Sequence, residues 1–425
     1  MNVLFIHQNF PGQFRHLAGH LASDRQNRVV AICQPHAPRH PQVPNTITYK
    51  PARKPGPPAH HYLRGIEEGV LNGQAVAKVL LQLKKAGFAP DIVIAHPGWG
   101  EALYVKDVFP DTALLSLFEF YYHAEGADSN FDPEFPLSFD GRARIRTRNA
   151  LHLLNLTACD AGVSPTQWQK SLHPAEFHSA ISVIHEGIDT RTVAPKRQQT
   201  FTLPNGTMLT REDEVVTYAA RNLEPYRGFH QFMRAIEQIC RRRPHSQIVI
   251  VGGDEVSYGQ RLPQGQTYRQ KLLQEVSIDP KRVHFLGKLP YADYLALLQV
   301  SSAHVYLTVP FVLSWSMLEA MSAGCLVIGS DTAPVREVLQ HGKNGLLVDF
   351  FSPTQIAERV DEVFSHSNRM QAIRESARQT IVERYEVKQS LMRYRGVIGS
   401  MVKPTADRLP DGDGIQQNKR QRCSA

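Results

Sequence analysis

The sequence is poor in the features that define several large protein classes. Its 425 residues contain five cysteines, which are scattered and form no C-x-x-C pair. This pattern argues against a disulfide framework and favours reduced thiols in a cytosolic compartment. The apolar runs fall short of the roughly 18 residues that a membrane-spanning helix needs. Residues 1–7 lack a basic leader, so they predict a first strand rather than a signal peptide.

A common nucleotide-binding signature is also missing. The loop at residues 8–14, which follows the first predicted strand, lacks the Gly-x-Gly-x-x-Gly fingerprint of dinucleotide-binding domains. This absence disfavours a dehydrogenase. Gly12 stands in that loop, and a plain turn glycine is one interpretation of it.

The charge of the chain favours anionic partners without choosing among them. The net charge is +8, while the apolar fraction of 42% and the charged fraction of 21% are those of an ordinary globular protein. Nucleotide phosphates, nucleic acid and an anionic membrane surface all fit this excess. Arginines at 142, 144, 146 and 148 alternate along a predicted helix and so do not share one face. A solvated helix with a few anion contacts is therefore favoured over a nucleic-acid groove.

Strands and helices alternate along both halves of the chain. Apolar runs that predict strands lie at residues 3–7, 29–33, 91–95, 113–117, 214–218, 247–251, 282–288, 304–309 and 326–328. Helical segments separate most of them, which predicts the α/β class with two doubly wound, Rossmann-like domains facing a cleft. We place the first domain at 1–190 and the second at 191–384. The polar tail at 403–425 is predicted to be disordered.

Two polar residues follow predicted strands of the first half. His96 comes directly after the strand at 91–95, and Glu119 follows the strand at 113–117. Ligands of open α/β sheets bind outside the carboxyl ends of the strands, so both are candidate catalytic residues. A carboxylate there can accept a hydrogen bond from a hydroxyl or assist its deprotonation. The alternative for each is a structural role, satisfied by nearby backbone or side chains.

The second half carries a strand, a loop and a helix start at residues 304–323. Free backbone N–H groups and the helix dipole make the predicted helix start, near Ser314–Ser316, a ready anion site. Glu319 lies within this helix. Ser316 and Glu319 also fit a capping box, in which the glutamate only satisfies the helix end.

Two segments of the second half resemble the donor site of the retaining GT-B glycosyltransferases of the large bacterial sucrose-synthase-like family (glycosyl transferases group 1). Those enzymes usually carry Glu, seven residues and a second Glu; Glu319 matches the second, and Phe311 occupies the first position. Arg221 matches a family arginine that follows a strand, and Arg227 stands where lysine is usual. The resemblance implies that both guanidinium groups hold the donor diphosphate, as charge builds on it during transfer. Two surface arginines are the alternative.

The resemblance also assigns contacts by position. Backbone N–H groups at Ser314, Trp315 and Ser316 would bind the diphosphate, and Glu319 would bind the nucleotide ribose. The turns that would line the base and the sugar contain Gly252, Gly253 and Leu286. In the first half, Gly12 would face the interdomain cleft, and Glu119 stands where the family often has a histidine that contacts the transferred sugar.

The function that the resemblance implies is transfer of a sugar from a nucleotide-diphosphate sugar to a hydroxyl acceptor with retention of the anomeric configuration. The first domain would bind the acceptor, the second the nucleotide sugar, and a helix at 385–402 would cross back to the first. No Asp-x-Asp motif stands near the expected phosphate site, so no metal or other cofactor is expected beyond the donor. The expected partners are a carbohydrate or lipid-linked glycan in polysaccharide or glycoconjugate synthesis, with peripheral contact to an anionic membrane at its inner face and no nucleic acid. A non-catalytic relative that binds a nucleotide sugar is the alternative.

Overall fold

The computed structural model describes residues 1–56 and 58–402, which form two parallel sheets flanked by helices. The first sheet has the order β3-β2-β1-β4-β5-β6-β7, and all neighbouring strands pair in parallel. Its strands are β1 Asn2–Ile6, β2 Arg28–Cys33, β3 Thr46–Thr48, β4 Ile92–Ala95, β5 Ala113–Leu117, β6 Ala161–Ser164 and β7 Ile181–Val183.

The second sheet repeats this plan with six strands in the order β12-β11-β10-β13-β14-β15, again all parallel. A short antiparallel pair, β8 Phe201–Thr202 and β9 Met208–Leu209, precedes it. The strands of the second sheet are β10 Val215–Asn222, β11 Gln247–Gly253, β12 Val283–Gly287, β13 Ala303–Tyr306, β14 Leu326–Ser330 and β15 Leu346–Val348.

Helices connect the strands and bury both faces of each sheet, as parallel sheets require. The helices are α1 Arg15–Ser23, α2 Arg64–Lys85, α3 Val105–Val108, α4 Phe139–Ala158, α5 Gln167–Ser171, α6 Phe229–Arg242, α7 Tyr268–Glu275, α8 Tyr291–Val300, α9 Trp315–Ala323, α10 Ala333–Arg336, α11 Pro353–Ser365, α12 Ser367–Arg384 and α13 Val387–Met401. The predicted α/β class with two doubly wound domains is therefore confirmed. Within the described ranges, no helix combines the length and apolar character needed to cross a bilayer.

Helix α13 returns from the second sheet to the first. Its Tyr394 and Ile398 belong to the same buried cluster as Phe5 and Phe14, and the helix lies against α1. The domain limits at 190 and 384 stay predictions. The expected disorder of residues 403–425 lies outside the described part of the chain.

Each sheet reverses its strand order once, between β1 and β4 in the first and between β10 and β13 in the second. The helices that follow two such strands leave on opposite faces, so a crevice opens at the carboxyl ends of the strands. His7 and His96 follow β1 and β4 directly, and Arg221 is the second-last residue of β10. The two crevices face each other, and the candidate site lies between them.

The segment that connects the two sheets carries a buried carboxyl group. Glu186 is 6% exposed, and its Oε2 accepts a hydrogen bond of 3.3 Å from the indole N–H of Trp315. Burial raises the pKa of Glu186 from 4.5 to about 7. Because the folded state favours the protonated acid, Glu186 contributes stability that is complete below pH 4.5 and is lost as the pH rises through about 7.

We predict that Glu186→Gln removes this pH dependence. The stability of the wild type relative to the variant should fall between pH 4.5 and pH 7, by at most about 3 kcal/mol at about 1.4 kcal/mol per pKa unit. Thermal melting of both proteins across this range measures the difference. If the melting temperatures of wild type and variant differ by a constant amount over the whole pH range, Glu186 is not the titrating group.

Candidate active site

A large cleft runs between the two sheets. Its volume is about 1010 Å³, and both domains contribute to its walls. Glu119 and Arg148 line it from the first domain, and Arg221, Tyr258 and Phe311 line it from the second. A cleft of this size holds a nucleotide-sized ligand together with a second molecule.

A second, much smaller pocket of about 70 Å³ adjoins the cleft at the carboxyl ends of β10 and β13. Four residues that the sequence assigned to diphosphate binding line it: Arg221, Arg227, Ser314 and Ser316. Arg221 and Tyr258 belong to the walls of both cavities, so the pocket opens toward the cleft. The structure therefore brings together the two arginines and the start of α9.

Arg227 is a half-buried cation whose contacts are all neutral. Its Nη1 donates to Thr308 Oγ1 at 2.9 Å, to the Val312 carbonyl at 3.1 Å and to Tyr306 Oη at 3.3 Å. The guanidinium carbon lies 5.6 Å from the ring centroid of Tyr258. Burial acts to lower the pKa of Arg227, but the oxygen atoms of Tyr306 and Tyr258 outweigh it and leave the pKa raised. The side chain stays charged and is held in one orientation.

Arg221 complements Arg227 from the open side of the pocket. It is exposed and makes no hydrogen bond or ion pair with any residue of the described ranges. Neither arginine faces a carboxylate within salt-bridge distance in that part of the chain. Two uncompensated guanidinium groups in one concave site attract an anion with several oxygen atoms, since each can donate in a bidentate fork.

The start of α9 adds a third source of positive potential. Ser314 caps the helix, and its Oγ accepts from the Ser316 N–H at 3.4 Å. Tyr306 Oη, which contacts Arg227, also accepts from the Ser314 N–H at 2.9 Å. The helix start and the guanidinium group are thus tied through one hydroxyl group, and the helix dipole points at the pocket. Trp315 instead turns its indole toward Glu186.

Glu319 lies one turn further along α9 and is not part of a capping box. Its carboxylate accepts hydrogen bonds from Tyr291 Oη at 2.8 Å and Tyr294 Oη at 3.1 Å. Burial raises the pKa of Glu319, and the two hydroxyl groups act against this. The capping-box alternative fails because Ser314, not Ser316, caps the helix. Glu319 comes three positions after Ser316, so both side chains leave the same side of α9.

Glu119 lies on the opposite wall of the cleft with two hydrogen-bond partners. Gln13 Nε2 donates to Oε1 at 2.6 Å, and His96 Nε2 lies 3.3 Å from Oε2. Burial acts to raise the pKa of Glu119, but the hydrogen bonds from His96 and Gln13 act against it and the pKa is lowered. Glu119 is therefore ionised near neutral pH, and 24% of its side chain remains accessible from the cleft.

The ring of His96 is held in one tautomer. Its Nδ1 accepts from the Gly98 N–H at 3.2 Å, so the proton sits on Nε2 and points at Glu119. The ring stacks on Trp99 with the centroids 4.3 Å apart. His7 supports the same network, because its Nε2 lies 2.8 Å from Gln13 Oε1. Burial lowers the pKa of His7 to about 3, so this ring is neutral.

The predicted glycines do not line either cavity. Instead, each allows a neighbouring side chain to pack closely against the backbone. Gly12 has φ of +44°, and a Cβ there would lie 2.5 Å from the His7 ring, so this position keeps the His7–Gln13 contact possible. A Cβ on Gly253, at the end of β11, would lie 2.7 Å from Asn222 Oδ1. Gly252 packs against Leu223 in the same way. Leu286 is half-buried on β12, the strand beside β11.

Phe311, at the position of the family's first glutamate, joins the domains by aromatic contact. Its ring centroid lies 4.8 Å from that of Phe120 in the first domain, 4.9 Å from Tyr258 and 5.4 Å from Tyr226. Tyr226 Oη donates to Asp128 Oδ2 of the first domain at 2.7 Å. These contacts form an apolar floor between the small pocket and the acceptor side of the cleft.

A cluster of Asp132, Glu134 and His230 also bridges the domains. Among the described residues, it is the group whose ligand atoms lie close enough to hold a metal ion. His230 Nε2 is 2.9 Å from Asp132 Oδ2, and the Arg234 guanidinium pairs with Glu134. The guanidinium group of Arg234 thus already supplies a positive charge beside this cluster. We interpret the cluster as an ion-pair contact between the domains.

Several residues that hold the site together had no predicted role. Tyr306 and Thr308 read only as parts of a buried strand, and Tyr258 lies in a loop without periodicity. Gln13 could have been predicted from its position. It lies in the segment after β1, at the same sheet edge as His96.

Comparison with known protein families identifies the two halves of the chain separately. Residues 25–193 match the family described as Glycosyl transferase family 4 group. Residues 207–380 match the family described as Glycosyl transferases group 1. The two matches follow one another along the chain in the order of the two sheets.

One curated relative and two solved structures agree with these matches. The Bacillus subtilis protein YtcC, named as a glycosyltransferase, is 23% identical over 252 residues, which cover 55% of this chain and 58% of that protein. The match thus spans about three fifths of that relative's length. Anabaena HepE (Alr3699), solved in complex with UDP and glucose, superimposes with a TM-score of 0.66 at 17% identity, covering 94% of this chain and 100% of the other. Sucrose-phosphate synthase from Thermosynechococcus elongatus gives a TM-score of 0.71 at 17% identity with the same coverage.

At such identities the structural likeness shows the fold, while the family matches extend over both domains. Together they confirm the family and the architecture that the residue pattern predicted. The chain belongs to the glycosyl transferases, with a family 4 group domain followed by a group 1 domain, and it has the two-domain GT-B fold.

Proposed function

We propose that this protein transfers a sugar from a nucleoside diphosphate sugar to a hydroxyl group of an acceptor, with retention of the anomeric configuration. The observation that carries the proposal is the small pocket at the end of β10, where Arg221, Arg227, Ser314 and Ser316 converge. Glu224 also lines this pocket, but its carboxylate accepts hydrogen bonds from the backbone N–H groups of residues 257–259 and pairs with neither arginine. The Anabaena relative was solved with UDP, so UDP is the first nucleotide to test.

The pocket suits the diphosphate because it supplies charge in a fixed arrangement. When the bond between the anomeric carbon and the β-phosphate oxygen breaks, negative charge grows on the leaving diphosphate. Arg227 is already oriented by Thr308 and Tyr306, so little reorganisation is needed at that moment. Arg221 is free to close on the phosphate from the solvent side.

The remaining donor contacts follow the family assignment and are supported by position. Gly252 and Gly253 end β11, the strand next to β10, and Leu286 lies near the end of β12, the strand beyond it, where the base would extend. Glu319 shares one side of α9 with Ser316, and its carboxylate oxygens keep lone pairs beyond the two tyrosine bonds for a ribose hydroxyl.

On the acceptor side we assign Glu119 to orient the reacting hydroxyl group. Its carboxylate is ionised, fixed by His96 and Gln13, and open to the cleft. In a same-face substitution the acceptor oxygen bonds to the anomeric carbon, and its proton passes to the leaving phosphate oxygen. Such a path needs no carboxylate nucleophile, which agrees with phenylalanine at 311. The carbohydrate or lipid-linked acceptor and the cytoplasmic setting are proposed from the family resemblance alone.

We predict that Arg221→Ala weakens UDP binding at least tenfold, because a mobile but uncompensated phosphate ligand is removed. Isothermal titration with UDP measures the effect. Arg241→Ala is the matched control, since Arg241 is an exposed arginine of the same domain on α6, away from the pocket. An Arg221→Ala dissociation constant within threefold of wild type would refute the phosphate assignment.

We predict that Glu119→Gln lowers the rate of sugar transfer at least tenfold while UDP binding changes less than twofold. The amide keeps the shape of the side chain but loses the charge that orients and polarises the acceptor hydroxyl. Release of UDP from UDP-sugars, with the anomeric configuration of the product read by NMR, gives rate and stereochemistry together. A variant as fast as wild type would assign Glu119 to structure only, and a wild type that binds UDP but consumes no donor would favour the non-catalytic alternative.

A further inference from the structure

Three arginines line the first-domain wall of the cleft, apart from the phosphate pocket: Arg64, Arg144 and Arg148. Arg64 is the first residue of α2, and the other two are four residues apart on α4, so they share one face of that helix. None of the three makes a hydrogen bond or an ion pair within the described ranges. The cleft therefore has a second cationic wall that donor binding does not use.

The two helices bring these arginines to the same level. Tyr62, just before α2, donates to Asp140 near the start of α4, and a Cβ on Gly69 would lie 2.6 Å from Leu151. The helices thus run in the same direction, with their N-terminal ends together. Arg64 of α2 lies between the contact residues Tyr62 and Gly69, and Arg144 of α4 lies between Asp140 and Leu151. The two guanidinium groups therefore extend from neighbouring turns of the two helices.

Arg148 is held in place although it has no salt bridge. Its guanidinium carbon lies 4.0 Å from the ring centroid of Tyr122, a stacked arrangement that leaves the N–H donors free. The Tyr122 backbone is fixed in turn by Asn149, which both accepts from its N–H at 3.1 Å and donates to its carbonyl at 2.7 Å. A positioned guanidinium group with free donors is a preformed receptor for an oxyanion.

The surrounding charges do not neutralise this wall. Two nearby arginines outside the cleft have acidic partners, Arg53 in Glu67 and Arg142 in Glu125. Within the cleft, Asp128 accepts from Tyr226, and burial raises its pKa. Asp132 pairs with His230. Glu68, four residues after Arg64 on α2, also lines the cleft and forms no ion pair with the three arginines in the described part of the chain.

We propose that the acceptor carries an anionic group, a phosphate or a carboxylate, which Arg64, Arg144 and Arg148 bind while its hydroxyl group lies at Glu119. This inference rests on the proposed function and specifies its acceptor. Tyr122 comes three positions after Glu119, which limits their Cα separation to about 10 Å. That span suits a small acceptor, such as a single sugar, whose anionic group is close to the reacting hydroxyl.

The test uses matched pairs of probes that differ in one anionic group, with the protein saturated by UDP so that the phosphate pocket is filled. The pairs are glycerol 3-phosphate and glycerol, glucose 6-phosphate and glucose, and glucuronate and glucose. Isothermal titration measures each probe. At least one anionic member should bind tenfold or more tightly than its neutral partner, and added salt should weaken it. Equal binding within all pairs would overturn the proposal.

Variants locate the binding site. Arg144→Gln with Arg148→Gln, and separately Arg64→Gln, should remove the preference for the anionic probe while UDP binding stays within twofold. Arg146→Gln is the matched control, because Arg146 is an exposed arginine of the same helix that does not line the cleft. An equal loss in Arg146→Gln would show general surface attraction and overturn the proposal.

A last arm distinguishes the source of the anionic group. Vesicles of phosphatidylglycerol and of phosphatidylcholine replace the soluble probes, and sedimentation with the vesicles is measured. Binding to phosphatidylglycerol that is lost with Arg144 and Arg148 but kept in the Arg146 variant assigns the anion to a lipid headgroup; binding of the soluble probes alone assigns it to a free acceptor. If UDP itself does not bind, the proposed function fails. If UDP binds and donor is consumed while the probe pairs stay equal, the acceptor proposal alone fails.

Discussion

The uncompensated charge of Arg227 is the constraint on which the rest of the site depends. A half-buried guanidinium group without a carboxylate is costly unless neutral oxygens solvate it or an anion arrives. Tyr306, Thr308 and the Val312 carbonyl do the first, and together they fix the loop between β13 and α9. The same hydroxyl of Tyr306 holds the Ser314 N–H. Strand end, arginine and helix start thus form one unit that is complete before any ligand binds.

The first domain presents a different kind of preorganisation. A chain of side chains from His7 through Gln13 to Glu119 and His96 orients a single carboxylate, and each histidine is fixed by a backbone N–H on its other nitrogen. Phe311 and its aromatic neighbours connect this network to the donor half. Replacement of the family's first glutamate by phenylalanine removes a charge from the centre of the cleft and places an apolar contact between the domains there.

The fold could be read from the sequence because parallel strands buried on both faces leave continuous apolar runs, and the strands at 3–7 and 247–251 were placed within two residues. Arg221, Arg227 and Ser314 could be assigned because each has a fixed offset from a strand or helix end. Contacts between distant segments left no local signal: Tyr306 reads as a core residue and Tyr258 as part of a loop. The arginines of α4 were predicted to lie on a solvated helix with a few anion contacts, and residues 144, 146 and 148 are exposed. Sequence spacing does not show that 144 and 148 line the cleft beside Arg64 of α2.

The central claim is that the second phosphate of the donor nucleotide binds between Arg227, Arg221 and the start of α9. Comparing UDP with UMP by isothermal titration on the wild-type protein tests it most directly, because the two ligands differ only in the group that this pocket should hold. We expect UDP to bind at least tenfold more tightly, which corresponds to about 1.4 kcal/mol. Equal affinities for UDP and UMP would contradict the account, since the pocket would then contribute nothing to donor binding.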